Sequence, residues 1–133
     1  MIDSVIKRHF SFLVDEHSYT AVTYDEEEVF FKKNNLAIRV VVDRDGVGLY
    51  CVDIKSMLCY NLSLFILNKR GGELRYPSSD DLSTQRDYAL EHYSNSLKNK
   101  APDIVEGNLK WTRDYGWTPL KLSGPLIEFL LTT

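Results

Sequence analysis

Residues 36–54 read LAIRVVVDRDGVGLYCVDI. Leu36, Ile38, Val40 and Val42 alternate with Ala37, Arg39, Val41 and Asp43, the period-two pattern of a strand with unlike faces. Val47 to Ile54 is a second β-prone run. Asp43-Arg44-Asp45-Gly46 joins the two with the residues a tight hairpin turn demands. Two further β-prone stretches lie upstream, Tyr19 to Tyr24 and Glu28 to Lys33 with Val29, Phe30 and Phe31. The pattern predicts an antiparallel meander of three to four strands.

Helical spacing brackets this meander. Ile2, Val5, Ile6, His9, Phe10, Leu13 and Val14 predict an amphipathic helix ending near Glu16. Asn61 is a fitting cap for a short apolar helix over Leu62 to Lys69, stopped at Gly71-Gly72. The segment Gly71 to Ser79 (GGELRYPSS) is the expected mobile loop. A long helix then starts at Ser78 or Ser79, with Asp80 and Asp81 favourably placed against its N-terminal dipole. Leu82, Arg86, Ala89, Leu90, Tyr93 and Leu97 trace its buried stripe. It must end before Pro102, which cannot continue the hydrogen-bond ladder. Pro102 can instead open a single turn, Asp103 to Glu106, closed by Gly107. The apolar end, Leu126 to Leu131, reads equally as helix or strand. The expected fold is therefore α+β: one domain, residues 1–133, with several helices packed on one face of the sheet.

Composition sets outer bounds. A chain of 133 residues with 44% hydrophobic and 26% charged residues is of ordinary domain size and composition. It can bury a sizeable core without disulfide or metal. Cys51 and Cys59 are the two cysteines, read as reduced packing residues. The N-terminal stretch lacks the apolar core of a signal peptide, and no apolar run approaches a membrane span, so the cytoplasm is the expected location.

The net charge of −3 is unevenly spread: Met1 to Glu28 holds seven acidic residues and two basic ones. Such a surface disfavours nucleic acid and suits a basic protein partner. Lys98, Lys100, Lys110, Arg113 and Lys121 are diluted by Asp103, Glu106 and Asp114 and form no nucleic-acid stripe. No membrane partner is expected.

A search for chemistry finds no constellation. His9, His17 and His92 have no second ligand at helical spacing, and Glu91 points to another face of the helix than His92. HExxH, a phosphate-cradling glycine loop and a GxSxG elbow are absent. No metal, no cofactor and no enzymatic activity are expected. The densest charge run, Asp25-Glu26-Glu27-Glu28, reads as a turn of exposed carboxylates and, with Asp15 and Glu16, as a docking patch. Trp117, in the Gly116-Trp117-Thr118-Pro119 loop, is the aromatic best placed to join it. Trp111 and Tyr93 are expected to pack.

The order of a helix, the strand pair FFKKNNLAIRVVVDRDGVGLYCVDI and a long helix ending YSNSLKNKAPDIVEGNLKW resembles a loose group of uncharacterised bacterial proteins. That group includes immunity proteins of polymorphic and contact-dependent toxin systems. The resemblance covers most of the chain apart from about the last twenty residues. It implies a non-catalytic domain that occludes the active site of a cognate toxin, and it carries over no individual functional residue. The competing class is a small ligand-binding or enzymatic domain with a pocket between sheet and helices. A contiguous acidic–aromatic surface without a deep pocket favours the first. A deep pocket lined by His92, Tyr93 or Cys51 favours the second.

Overall fold

A computed structural model describes residues 2–44, 46–71, 78 and 81–133. The hairpin of residues 36–54 forms as expected: β3 (Leu36–Asp43) pairs with β4 (Gly46–Asp53) from Leu36↔Asp53 to Asp43↔Gly46. β1 (Thr20–Asp25) and β2 (Glu28–Lys33) precede it. The two-residue link Asn34-Asn35 between β2 and β3 places Asn34 at φ 54°, a left-handed conformation that Asn tolerates.

The sheet is wider than the expected three to four strands. β5 (Leu58–Asn61) adds to β4, and β6 (Leu120–Lys121) adds to β5. All six strands run antiparallel in chain order. β5 escapes a periodicity reading because it has only four residues and runs without a loop into a helix.

Both faces of the sheet are covered, where helices on one face were expected. Val29, Phe31, Ile38, Val40, Leu49, Cys51 and Tyr60 belong to one core, whereas the alternate residues Phe30, Ala37, Val52 and Cys59 belong to a second. Strands buried on both faces lose the apolar–polar alternation, which is why β2 opens with four buried residues in a row. The lid of the second core is α6 (Gly124–Thr132), so the ambiguous LIEFLL segment is helix. Its Leu126 and Leu130 are buried on Phe30, Val52 and Cys59. The Lys32 ammonium donates to the Leu130 carbonyl at 2.7 Å, a favourable place for a cation at a helix C-terminus.

The first core is closed by the remaining helices. The expected N-terminal helix is two pieces, α1 (Ile2–His9) and α2 (Ser11–His17), broken at Phe10, whose ring turns inward onto Phe31. Val14, expected on the buried stripe, is exposed because the break rotates the face α2 presents. Asn61 caps α3 (Leu62–Phe65) as expected, its side-chain oxygen accepting from the Leu64 N–H at 3.0 Å. A π-helical turn, Ile66–Arg70, continues α3 to Gly71.

The long helix, α4 (Leu82–Lys100), starts later than expected, with Asp81 as N-cap. Leu82 consequently lies in its first turn and is 57% exposed, which corrects the stripe; Ala89, Leu90 and Leu97 are buried as predicted. Ser79, Asp80 and most of the expected mobile loop lie outside the described residues.

α5 (Pro102–Val105) follows, ending before Gly107 at φ 98°. Arg70 clamps this corner. It donates to both carboxylate oxygens of Asp103, at 2.8 and 3.0 Å, and to the Lys100 carbonyl at 2.9 Å. Trp111, in a 3-10 turn (Lys110–Asp114), packs on Phe65 and Tyr60.

Candidate functional site

The acidic run folds as a tight turn between β1 and β2. The Asp25 carboxylate accepts the Glu27 N–H at 2.8 Å, and the Val42 N–H of β3 donates to the Glu27 carbonyl at 2.8 Å. Asp25, Glu26 and Glu27 are exposed on this pinned turn. Glu28 is not part of it. It is the first residue of β2, it is 8% exposed, and its carboxylate pairs with the Arg39 Nε.

That pair heads a small cluster on the second face of the sheet. The Arg39 guanidinium lies over the rings of Phe30 and Tyr50, at 5.8 and 5.3 Å, and approaches the Cys59 sulfur at 4.0 Å. Burial works against the Arg39 charge, but the Glu28 carboxylate outweighs it and holds the pKa above the usual value. Tyr50 leans over Gly48, where a Cβ would meet its ring at 2.6 Å. Burial also pushes the Cys59 thiol up, with Arg39 opposing, so Cys59 stays a thiol rather than a nucleophilic thiolate. Cys51 is fully buried on the opposite face of the sheet, and the two cysteines are free.

The remaining predicted docking residues do not converge on the turn. Asp15 and Glu16 are exposed in the last turn of α2, which leads into the start of β1. The acidic turn closes the other end of that six-residue strand, about 20 Å of extended chain away. Trp117 is 39% exposed, edge-on to Tyr115 and beneath the Lys69 ammonium, beside β5 and β6 at the other edge of the sheet. Among the described residues, the predicted acidic positions and Trp117 therefore form no contiguous surface.

His92 and Tyr93 do border a cavity, of about 200 Å³, between the α3–π-helical wall and α4. Leu49 of β4 lies at its base, and Leu64, Ile66 and Leu67 line one side. Asn61 and Ser63 supply polar atoms to that side, while Ser96 joins His92 on α4. The His92 ring stacks on Tyr88 and meets Tyr93 edge-on. Burial, with the Lys100 charge, lowers its pKa, so the imidazole is neutral at pH 7. Cys51 takes no part. The cavity is below the roughly 300–1,000 Å³ of sites that engulf a drug-sized ligand.

Sequence reasoning missed Asn61, Ser63 and Ser96 here. Ser96 stands four residues after His92, a spacing that puts both on one helix face and was a usable signal.

Among the described residues no group of three or more His, Cys, Asp or Glu side chains is placed to hold a metal. Nor is any helix among them long and apolar enough to cross a membrane. The chain matches no protein-family model, no curated protein and no solved structure.

Proposed function

We propose that this chain is an immunity-type inhibitor, a non-catalytic domain that binds a basic toxin and occludes its active site. The observation that carries the reading is the pinned β1–β2 turn, which offers the exposed carboxylates of Asp25, Glu26 and Glu27. A turn already fixed by its own hydrogen bonds loses little conformational entropy on docking. A cluster of one sign on an exposed turn steers an oppositely charged partner and acts mainly on the rate of encounter. Asp15 and Glu16 add to the same field from the far end of β1. Trp117 is left outside the contact, and Glu28 acts only through the register it holds with Arg39. The resemblance of the strand pair and the long helix to bacterial immunity proteins points the same way.

The test has two arms. The product of the neighbouring gene is expressed alone and together with this protein, and growth is followed; arrest alone and rescue together are expected. A product that is harmless alone, or that still kills when this protein is in excess, refutes the reading. In the second arm Glu26→Lys with Glu27→Lys should lower the association rate with that product about tenfold at low salt and flatten its salt dependence. The fold should survive, since exposed carboxylates contribute little to stability.

A further inference from the structure

The two edges of the sheet differ. β6 is two residues long and carries Lys121, so it offers little to a further strand. β1 is six residues long, and Thr20 to Tyr24 carry neither a charge nor a proline. None of its residues is buried. Among the described residues only β2 pairs with its backbone, so the outward N–H and C=O groups are left to water. One protective device is present. The ladder passes from Thr23↔Val29 to Asp25↔Glu28, a bulge at Tyr24 that limits the flat edge to Thr20–Thr23. Such a stretch turns roughly two N–H and two C=O groups outward, because successive residues of a strand point theirs to opposite edges. The charges beside this edge are graded. At its end stand the exposed carboxylates of Asp25, Glu26 and Glu27. At its start Asp15 and Glu16 are offset by two ammonium groups, Lys33 at 5.5 Å from the Tyr19 ring centre and Lys98 at 4.8 Å from that of Phe12.

We propose that β1 receives an extended segment of a basic protein as an added antiparallel strand, with the segment's Lys or Arg residues set against the acidic turn. The proposal rests on the reading of this chain as an inhibitor of a basic protein and adds how the contact is made. Main-chain hydrogen bonds to Thr20–Thr23 hold the segment, and the carboxylates of the turn fix its direction. Antiparallel pairing continues the pattern of the whole sheet and is the slightly more stable of the two. An antiparallel segment begins beside the end of β1, so its basic residues stand at its N-terminal end. A second copy of this chain fits less well. Its own β1 supplies no Lys or Arg, the residues leading into that strand bring no excess of positive charge, and each copy carries a net charge of −3.

The probe is an end-blocked peptide, Lys-Lys-Thr-Val-Thr-Val-Thr, titrated into the isotope-labelled protein and followed by backbone amide NMR. Saturable shifts centred on Thr20 to Thr23 are expected. A counterpart with Glu in place of Lys should bind at least about tenfold more weakly at low salt. Two N-methylated forms of the peptide, each methylated along one edge, separate main-chain pairing from charge attraction: one should lose binding and the other keep it. Ala21→Pro and Val22→Pro turn the same test on the protein, since one of these two N–H groups faces outward and proline is tolerated there. The variant that keeps the parent fold should no longer bind. No saturation with the lysine peptide, equal binding by the two N-methylated forms, or shifts centred elsewhere overturns the proposal. So does a dimer of the free protein that the folded proline variant dissolves, which would put a second copy on the edge. Growth rescue against the neighbouring product does not depend on how the contact is made, so a failure here leaves that reading standing.

Discussion

Leu130→Ala tests whether α6 closes a second core or merely rests on the sheet. Leu130 is 1% exposed and belongs to the cluster with Phe30, Val52 and Cys59. Truncation to Ala removes three carbon groups from this site. At about 0.8 kcal/mol each, the transfer loss is about 2.4 kcal/mol. The cavity left behind adds to this, so measured Leu→Ala costs span roughly 2–5 kcal/mol. A nine-residue helix at the edge of the core can shift to fill part of the space, which puts the expectation at about 2–3 kcal/mol. For 133 residues the entropy of unfolding is about 0.28 kcal/mol/K, so Tm should fall by about 7–11 °C. Leu131→Ala is the control: its neighbour is 65% exposed, and the change should stay within about 0.5 kcal/mol. Urea denaturation with a common m value, alongside a thermal scan, measures both. Equal shifts for the two variants would refute the second core.

Two further outcomes are expected. Leu90→Ala and Leu97→Ala, both fully packed on α4, should each cost about 2–5 kcal/mol, while Glu91→Ala on the exposed face should cost within about 0.5 kcal/mol; chemical denaturation separates them, and equal midpoints would mean a wrong helix phase. Hydrogen bonding and charge from Arg70 hold the Asp103 carboxyl below its usual pKa, so its contribution to stability is present above the unfolded carboxylate pKa of about 3.9 and is lost as pH falls through the folded value. Asp103→Asn should therefore flatten the acid limb of the stability–pH curve below about pH 4, and a limb as steep as in the parent would sink this assignment.

What could be read from the chain follows the range of the interactions involved. The β3–β4 hairpin was legible because alternation and the Asp43–Gly46 turn are local. So were the Asn61 cap and the stop before Pro102. β5 and β6 were not, because strands of four and two residues carry no period, and their pairing is decided by neighbours distant in sequence. The second core was hidden for a related reason: Phe30, Val52 and Cys59 look alike in sequence whether α6 covers them or solvent does. Within the candidate sites, the exposure of Asp25, Glu26 and Glu27 was legible from charge density. The fate of Glu28 was not, since it turns on the register that sets Val41 opposite it and brings Arg39 within reach. His92 and Tyr93 announced themselves as polar or aromatic residues near a buried stripe. That Asn61 and Ser63 border the same cavity could only be found once the path of α3 was seen.

The position of α6 along the chain has a consequence for the order in which the protein is made. β1 to β4 pair neighbour with neighbour, so this part of the sheet can assemble as soon as it emerges from the ribosome. The helix that covers Phe30, Ala37 and Val52 begins about seventy residues after β4 ends. At 5–20 residues per second, translation takes about 4–14 s to deliver it. For that interval the nascent sheet carries a bare apolar face, the kind of surface that chaperones hold and that drives aggregation when nothing does.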